Sequence, residues 1–265
     1  MPPMGLVGIR TGITAAILII IQAFRRRLWL KEKSDYWKLG VLSLFGVVFN
    51  QLFFISGLSL TTASNTSLLA VMIPVFALTV GSIAGFEKLT WIKIAGIILA
   101  AAGIVLLIDP RKASFSSQTT RGDLFIIINC LSYGIYVAVS KSVITRNGTF
   151  RSMMWVFIFA SIICVPLGIN SLANIDLSSV PTHIWLISLY IAVGATAGPY
   201  LLNAWALSKV DPSTVAVFVY LQPLIGFALA VAFLGESIGA IFVVAAAMIF
   251  AGVFLVTRKF IPSET

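Results

Sequence analysis

The chain has 265 residues, of which 59% are hydrophobic and 10% charged, with a mean hydropathy of +1.05. A soluble domain of this size carries about 25% charged residues, so the composition excludes a water-soluble globule and indicates an all-α integral membrane protein. The net charge of +9 does not signal nucleic acid, because Lys and Arg lie between apolar runs, where membrane proteins hold their loop charges.

Apolar windows predict nine transmembrane helices: 6–24, 38–60, 66–86, 91–108, 122–141, 152–170, 184–206, 213–234 and 238–257. The first carries Arg10, an ionisable group inside a span, together with a Gly8/Gly12 pair at the spacing that allows close helix contact. The basic cluster Arg25, Arg26 and Arg27 follows this span, unlike the layout of a cleaved signal peptide, and the helix reads as retained. Asn50 and Gln51 lie near the middle of the second span, Pro74 lies in the third, and Glu87 stands at the junction before the fourth. A Ser- and Thr-rich linker, 109–121, separates the first four spans from the last five.

The fifth span places Asn129, Tyr133, Tyr136 and Ser140 on one helical face, with Lys141 at its end. Cys130 and Cys164 sit inside apolar spans and suggest neither a disulfide framework nor a metal knuckle. Pro166 interrupts the sixth span; Pro199, Tyr200, Asn203 and Trp205 occupy the seventh; Tyr220 and Gln222 precede Pro223 in the eighth. Glu236 stands before the ninth. Gly81/Gly85 and Gly194/Gly198 repeat the small-residue spacing, and Trp37, Trp91 and Trp185 near span ends fit aromatic belts.

Taking the first linker as cytoplasmic, alternation of the spans puts 14 basic residues inside and only Arg111, Lys112 and Arg121 outside. That bias predicts a cytoplasmic C-terminus and an external Met1, in a cell membrane.

Sliding the chain along itself by 149 residues aligns Glu87 with Glu236, Pro74 with Pro223, Gly103 with Gly252 and Ser64 with Ser213. Self-similarity at a fixed offset signals two copies of one unit. They run over 1–108, with four helices, and 122–257, with five; the counterpart of the fifth span would precede Met1. An odd number of helices per copy requires opposite orientations, the inverted-repeat plan of secondary transporters. Glu87 and Glu236 then occupy one structural place on opposite membrane faces, each expected as a turn carboxylate capping the last helix of its own copy.

The stretch YLLNAWALSKVDPSTVAVFVYLQPLIGFALAVAFLGESI resembles the second EamA repeat of the drug/metabolite transporter superfamily, and IPVFALTVGSIAGFEKLTWIKIAGIILAAAGIVLL resembles the first. The resemblance implies a ten-helix fold of two inverted five-helix copies, here without its first helix, which in the family contributes to a central cavity. It also implies ATP-independent export or exchange of small metabolites such as amino acids, nucleosides or drugs.

Candidate cavity residues are Arg10, Asn50, Gln51, Asn129, Tyr133, Tyr136, Tyr200, Asn203, Tyr220 and Gln222. Each has two open readings: contact with a solute, or hydrogen bonding and packing between helices. For Arg10 the structural reading is pairing within the protein or snorkelling to the outer face. No catalytic residue is expected, because the acids lie in loops or at span ends and the single His, His183, is at an edge. No metal, cofactor or nucleic-acid partner is expected; the partners are a small-molecule substrate and the lipid bilayer, and the oligomeric state stays open. A channel-like or non-transporting membrane protein is the alternative.

Overall fold

The computed structural model describes residues 2–108, 119–173, 180–234 and 240–258. Nine helical segments among them are long and apolar enough to cross a membrane: Pro3–Phe24, Lys33–Leu58, Ala63–Ile83, Trp91–Ile108, Thr120–Asn147, Thr149–Leu172, Thr182–Leu207, Pro212–Leu229 and Ala240–Thr257. This is the expected count. In hydrocarbon no water satisfies the peptide groups, so each apolar run closes its own hydrogen bonds as a helix. Large apolar side chains such as Ile83, Ile98, Ile162 and Phe233 are left exposed, as lipid-facing residues are.

In chain order the elements are α1 (Pro3–Phe24), α2 (Lys33–Ser43), α3 (Asn50–Leu58), α4 (Ala63–Leu69), α5 (Met72–Ile83), α6 (Trp91–Ile108) and α7 (Thr120–Asn147). Then follow α8 (Thr149–Leu172), α9 (Thr182–Ala192), α10 (Gly198–Leu207), α11 (Pro212–Val217), α12 (Leu221–Leu234) and α13 (Ala240–Thr257). Irregularities recur at the repeat offset. A π-helical turn, Leu44–Phe49, joins α2 to α3, and a second, Val193–Ala197, joins α9 to α10. The third and eighth spans both break after their first two turns, at Ala70–Val71 and in the 3-10 turn Phe218–Tyr220. Pro74 and Pro223 each stand in the first turn after the break, where a missing N–H leaves no helical bond unmade. They start helices rather than kink them.

Two predicted edges move. The second span begins at Lys33, because Asp35 sits in its first turn, where an acid complements the helix dipole. The fifth runs to Asn147, so Lys141 lies within the helix and not at its end. Gly148, with φ +83°, then makes the turn into α8.

The chain forms two compact units, each drawing on both halves of the sequence: residues 1–56 with 139–210, and 57–138 with 211–265. In the first, α1 packs antiparallel on α8: a side chain at Gly5 would meet Leu172, and one at Gly8 would meet the Gly168 backbone at 2.8 Å. The linker after α1 is tied to the start of α8, with Trp155 Nε1 donating to the Leu28 carbonyl (2.9 Å) and Arg151 Nε to that of Arg27 (3.1 Å). Asp35 is fully buried and accepts from Arg146 Nε (3.0 Å) and from Asn147 Nδ2 (2.7 Å), while Arg146 also pairs with Glu32.

In the second unit α6 and α13 cross antiparallel. A side chain on Gly96 would meet the Gly252 carbonyl at 2.8 Å, and one on Gly103 would meet that of Ala245 at 2.9 Å. Ala245 and Gly252 are the 149-residue counterparts of Gly96 and Gly103, so the crossing maps onto itself, as a two-fold contact must. Ile97, Ile104, Tyr220, Ile249 and Val253 fill the core around it. Two of the predicted small-residue pairs do not make such contacts. Nothing lies within 4 Å of a side chain at Gly85, one at Gly81 would reach another helix only at Ala138 Cβ (3.9 Å), and the nearest atoms to Gly194 and Gly198 belong to Tyr190 and Val193 of the same span.

Candidate substrate site

In the first unit the sequence-predicted residues Arg10, Gln51 and Tyr200 come together. Arg10 shares a face of α1 with Val7 and Thr14, three residues before and four after it, both buried. Its Nη2 donates to Gln51 Oε1, and the guanidinium lies near Tyr200 and Cys164. The side chain is turned toward these residues rather than snorkelling to the outer face. Gln51 is buried and also faces the Tyr200 hydroxyl, which donates to the Gly46 carbonyl (2.9 Å). Gly46 belongs to the first π-helical turn, where the register shift leaves a carbonyl for a side chain to use. Thr14 Oγ1 donates to the Ala192 carbonyl (3.0 Å), next to the second π-helical turn. The Phe157 and Tyr200 rings meet edge to face at 5.1 Å. Asn50 and Asn203 are half-buried, Asn50 beside Gln51 and Asn203 one turn beyond Tyr200.

The remaining candidates fall in the second unit. Asn129 and Tyr136 are buried on α7, and half-buried Tyr133 stacks on Tyr136 with ring centroids 6.1 Å apart. Tyr220 is buried, and its hydroxyl donates to the Val71 carbonyl (2.7 Å) at the break between α4 and α5. Gln222 is exposed at the start of α12.

Glu87 caps a helix, but not the one expected. Gly85, with φ +73°, closes a Schellman turn at the end of α5: Phe86 N–H bonds the Gly81 carbonyl (2.9 Å) and Gly85 N–H that of Ser82 (3.1 Å). The turn carries Glu87 onto the N-terminus of α11, where its carboxylate accepts from Ser213 N (3.0 Å), from Ser213 Oγ and from Lys93 Nζ. Lys93 also pairs with Asp211 (3.1 Å). The start of α6 is capped by Thr90, whose hydroxyl and carbonyl accept from Lys93 N–H and Ile94 N–H. Glu87 thus ties one sequence copy to the other. Glu236 lies outside the described residues.

Sequence reasoning missed the Asp35–Arg146–Asn147 cluster and the bonds from Thr61 and Asn65 to Asp123, since the partners lie 58 to 112 residues apart with no local signature. Among the described residues there is no group of His, Cys, Asp and Glu able to hold a metal ion.

The model of the EamA-like transporter family matches residues 1–109 and 120–258. An uncharacterised transporter of Archaeoglobus fulgidus is 27% identical over 258 residues, covering 97% of this chain and 88% of its own length. A protein of Streptantibioticus cattleyicolor named a probable terminal-alkyne amino-acid exporter is 22% identical over 200 residues, covering 74% of this chain and 65% of its own. A solved crystal structure superposes with a TM-score of 0.78 at 20% identity, covering 97% of this chain and 88% of that one, which establishes a shared fold. With the family model spanning both halves of a chain that has at least nine apolar spans, this protein is a multi-pass membrane transporter and belongs to the EamA-like transporter family.

Proposed function

We propose that the protein is a secondary, ATP-independent transporter that exports or exchanges small metabolites such as amino acids, nucleosides or drugs by alternating access. Its repeats are 1–108 and 122–257, joined by an external linker at 109–121, and it sits in the cell membrane with a cytoplasmic C-terminus. The observation that carries this reading is the cluster of Arg10, Gln51 and Tyr200 inside apolar spans, with Gln51 and Tyr200 each just after a π-helical turn. Intramembrane polar groups on interrupted helices are where transporters of this architecture bind solute. The relative named as an amino-acid exporter supports the same class. No Asp or Glu lies mid-membrane to titrate, so facilitated diffusion or exchange is favoured over proton coupling.

Counterflow in proteoliposomes, without ATP, against labelled amino acids, nucleosides and a cationic dye tests the reading. Saturable, trans-stimulated flux is expected. Asn203→Ala and Gln222→Ala should lower it while leaving insertion intact. Flux that never saturates would favour a channel, and no flux of any solute would favour a non-transporting protein.

A further inference from the structure

We infer that Arg10 is an anion subsite and that the transported solute carries a carboxylate, which the guanidinium binds; this rests on the transport reading above. The inference starts from charge. An arginine stays protonated, and an unpaired charge placed in a span is costly. Two other half-buried cations are paired with carboxylates: Lys93 with Glu87 and Asp211, and Arg146 with Asp35 and Glu32. Arg10 has no carboxylate among the described residues. Its one hydrogen-bond acceptor is the neutral Gln51, and its Nε is buried with no acceptor at all.

The side chain is nevertheless held in place. Gln51 fixes Nη2, Tyr200 backs Gln51, and the Gly46 carbonyl orients Tyr200. A planar fork of donors, fixed and lacking a counter-ion, matches a carboxylate in both shape and charge. One guanidinium neutralises one negative charge. A phosphate monoester carries nearly two, and α1 offers no second cation to balance it. The class is therefore a small monocarboxylate or amino acid rather than a sugar phosphate, a nucleoside or a cationic drug.

The test uses the full chain. In counterflow, alanine, leucine, glutamate, phenylalanine and lactate are compared with leucinamide, adenosine and ethidium. At least one carboxylate should be carried, free leucine should compete and leucinamide should not. Arg10→Gln should lower carboxylate flux at least about tenfold, the loss of one charge-assisted contact. Arg10→Lys should restore part of it. Gln51→Glu, which supplies an internal counter-ion without changing shape, should silence carboxylate flux and keep the protein folded. Flux of adenosine or ethidium with all carboxylates silent, or carboxylate flux unchanged in Arg10→Gln, overturns the assignment. A second readout separates the two readings: thermal stabilisation of detergent-solubilised protein by the same carboxylates. Stabilisation that Arg10→Gln abolishes, without flux in vesicles, keeps the subsite and removes transport. No stabilisation of the unmutated chain, with no flux, removes both.

Discussion

Replacing Glu87 separates a carboxylate that joins the two sequence copies from one that merely ends a helix. Three donors converge on it: Ser213 N at 3.0 Å, Ser213 Oγ and Lys93 Nζ. Ser213 is fully buried and the Glu87 side chain is 1% exposed, so neither finds water when the other is removed. Glu87→Gln keeps a carbonyl oxygen for Ser213 and leaves Lys93 with Asp211, which should cost about 1–2 kcal/mol. Glu87→Ala strands the Ser213 N–H and hydroxyl and half of the Lys93 pairing, which should cost about 3 kcal/mol. The assay is unfolding by SDS in mixed micelles. A cycle of Glu87→Ala with Ser213→Ala should show a coupling of at least about 1 kcal/mol, whereas a cycle with Thr90→Ala should be additive within about 0.5 kcal/mol. The reverse pattern would mean that Glu87 serves α6. A Glu87→Ala protein as stable as the unmutated one would refute the account altogether.

Two further perturbations test the packing and the turns. Gly252→Leu would bring a Cβ to 2.6 Å from Ala100 N and 2.7 Å from Ala100 Cβ, atoms fixed by the α6 backbone. The two helices must part, at about 2–3 kcal/mol in the same titration, whereas Gly226→Ala, with open space around it, should stay within about 0.5 kcal/mol; equal effects would show that the α6–α13 crossing is not close-packed. Gly148→Ala tests backbone strain alone, because φ +83° and ψ 152° suit only glycine and nothing lies within 4 Å of the added methyl. A loss of about 1–3 kcal/mol is expected, and an unchanged midpoint would mean that the α7–α8 turn relaxes freely.

The spans and the repeat were legible because both are properties of residue order: apolar length sets the first and self-similarity the second. The π-helical turns were not, since LFGVVF and VGATA differ in composition from no ordinary helical turn, and only tertiary packing selects the i→i+5 register. Arg10 could be placed in a span but not on a face, because facing inward depends on what packs against Val7 and Thr14. The donor to Glu87 was missed for a similar reason. Helix caps are read as local signals, and this one acts 126 residues away.

The offset of 149 also says where specificity can lie. What recurs between copies is what builds helices: the carboxylate at Glu87 and Glu236, the prolines after each break, and the small residues of the α6–α13 crossing. What does not recur is positive charge. The counterpart of Lys93 is Phe242, that of Arg10 is Phe159, and Gln51 answers to Tyr200. An inverted repeat makes the scaffold nearly symmetric across the membrane, yet a solute with one charged end is not symmetric. A site that holds such a solute in one orientation must depart from the repeat, and Arg10 with Gln51 against Phe159 with Tyr200 is such a departure. Phe159→Arg should therefore not add a second productive site. It should place an uncompensated cation on α8 and lower carboxylate counterflow, and a doubling of flux instead would show that the two copies bind solute equivalently.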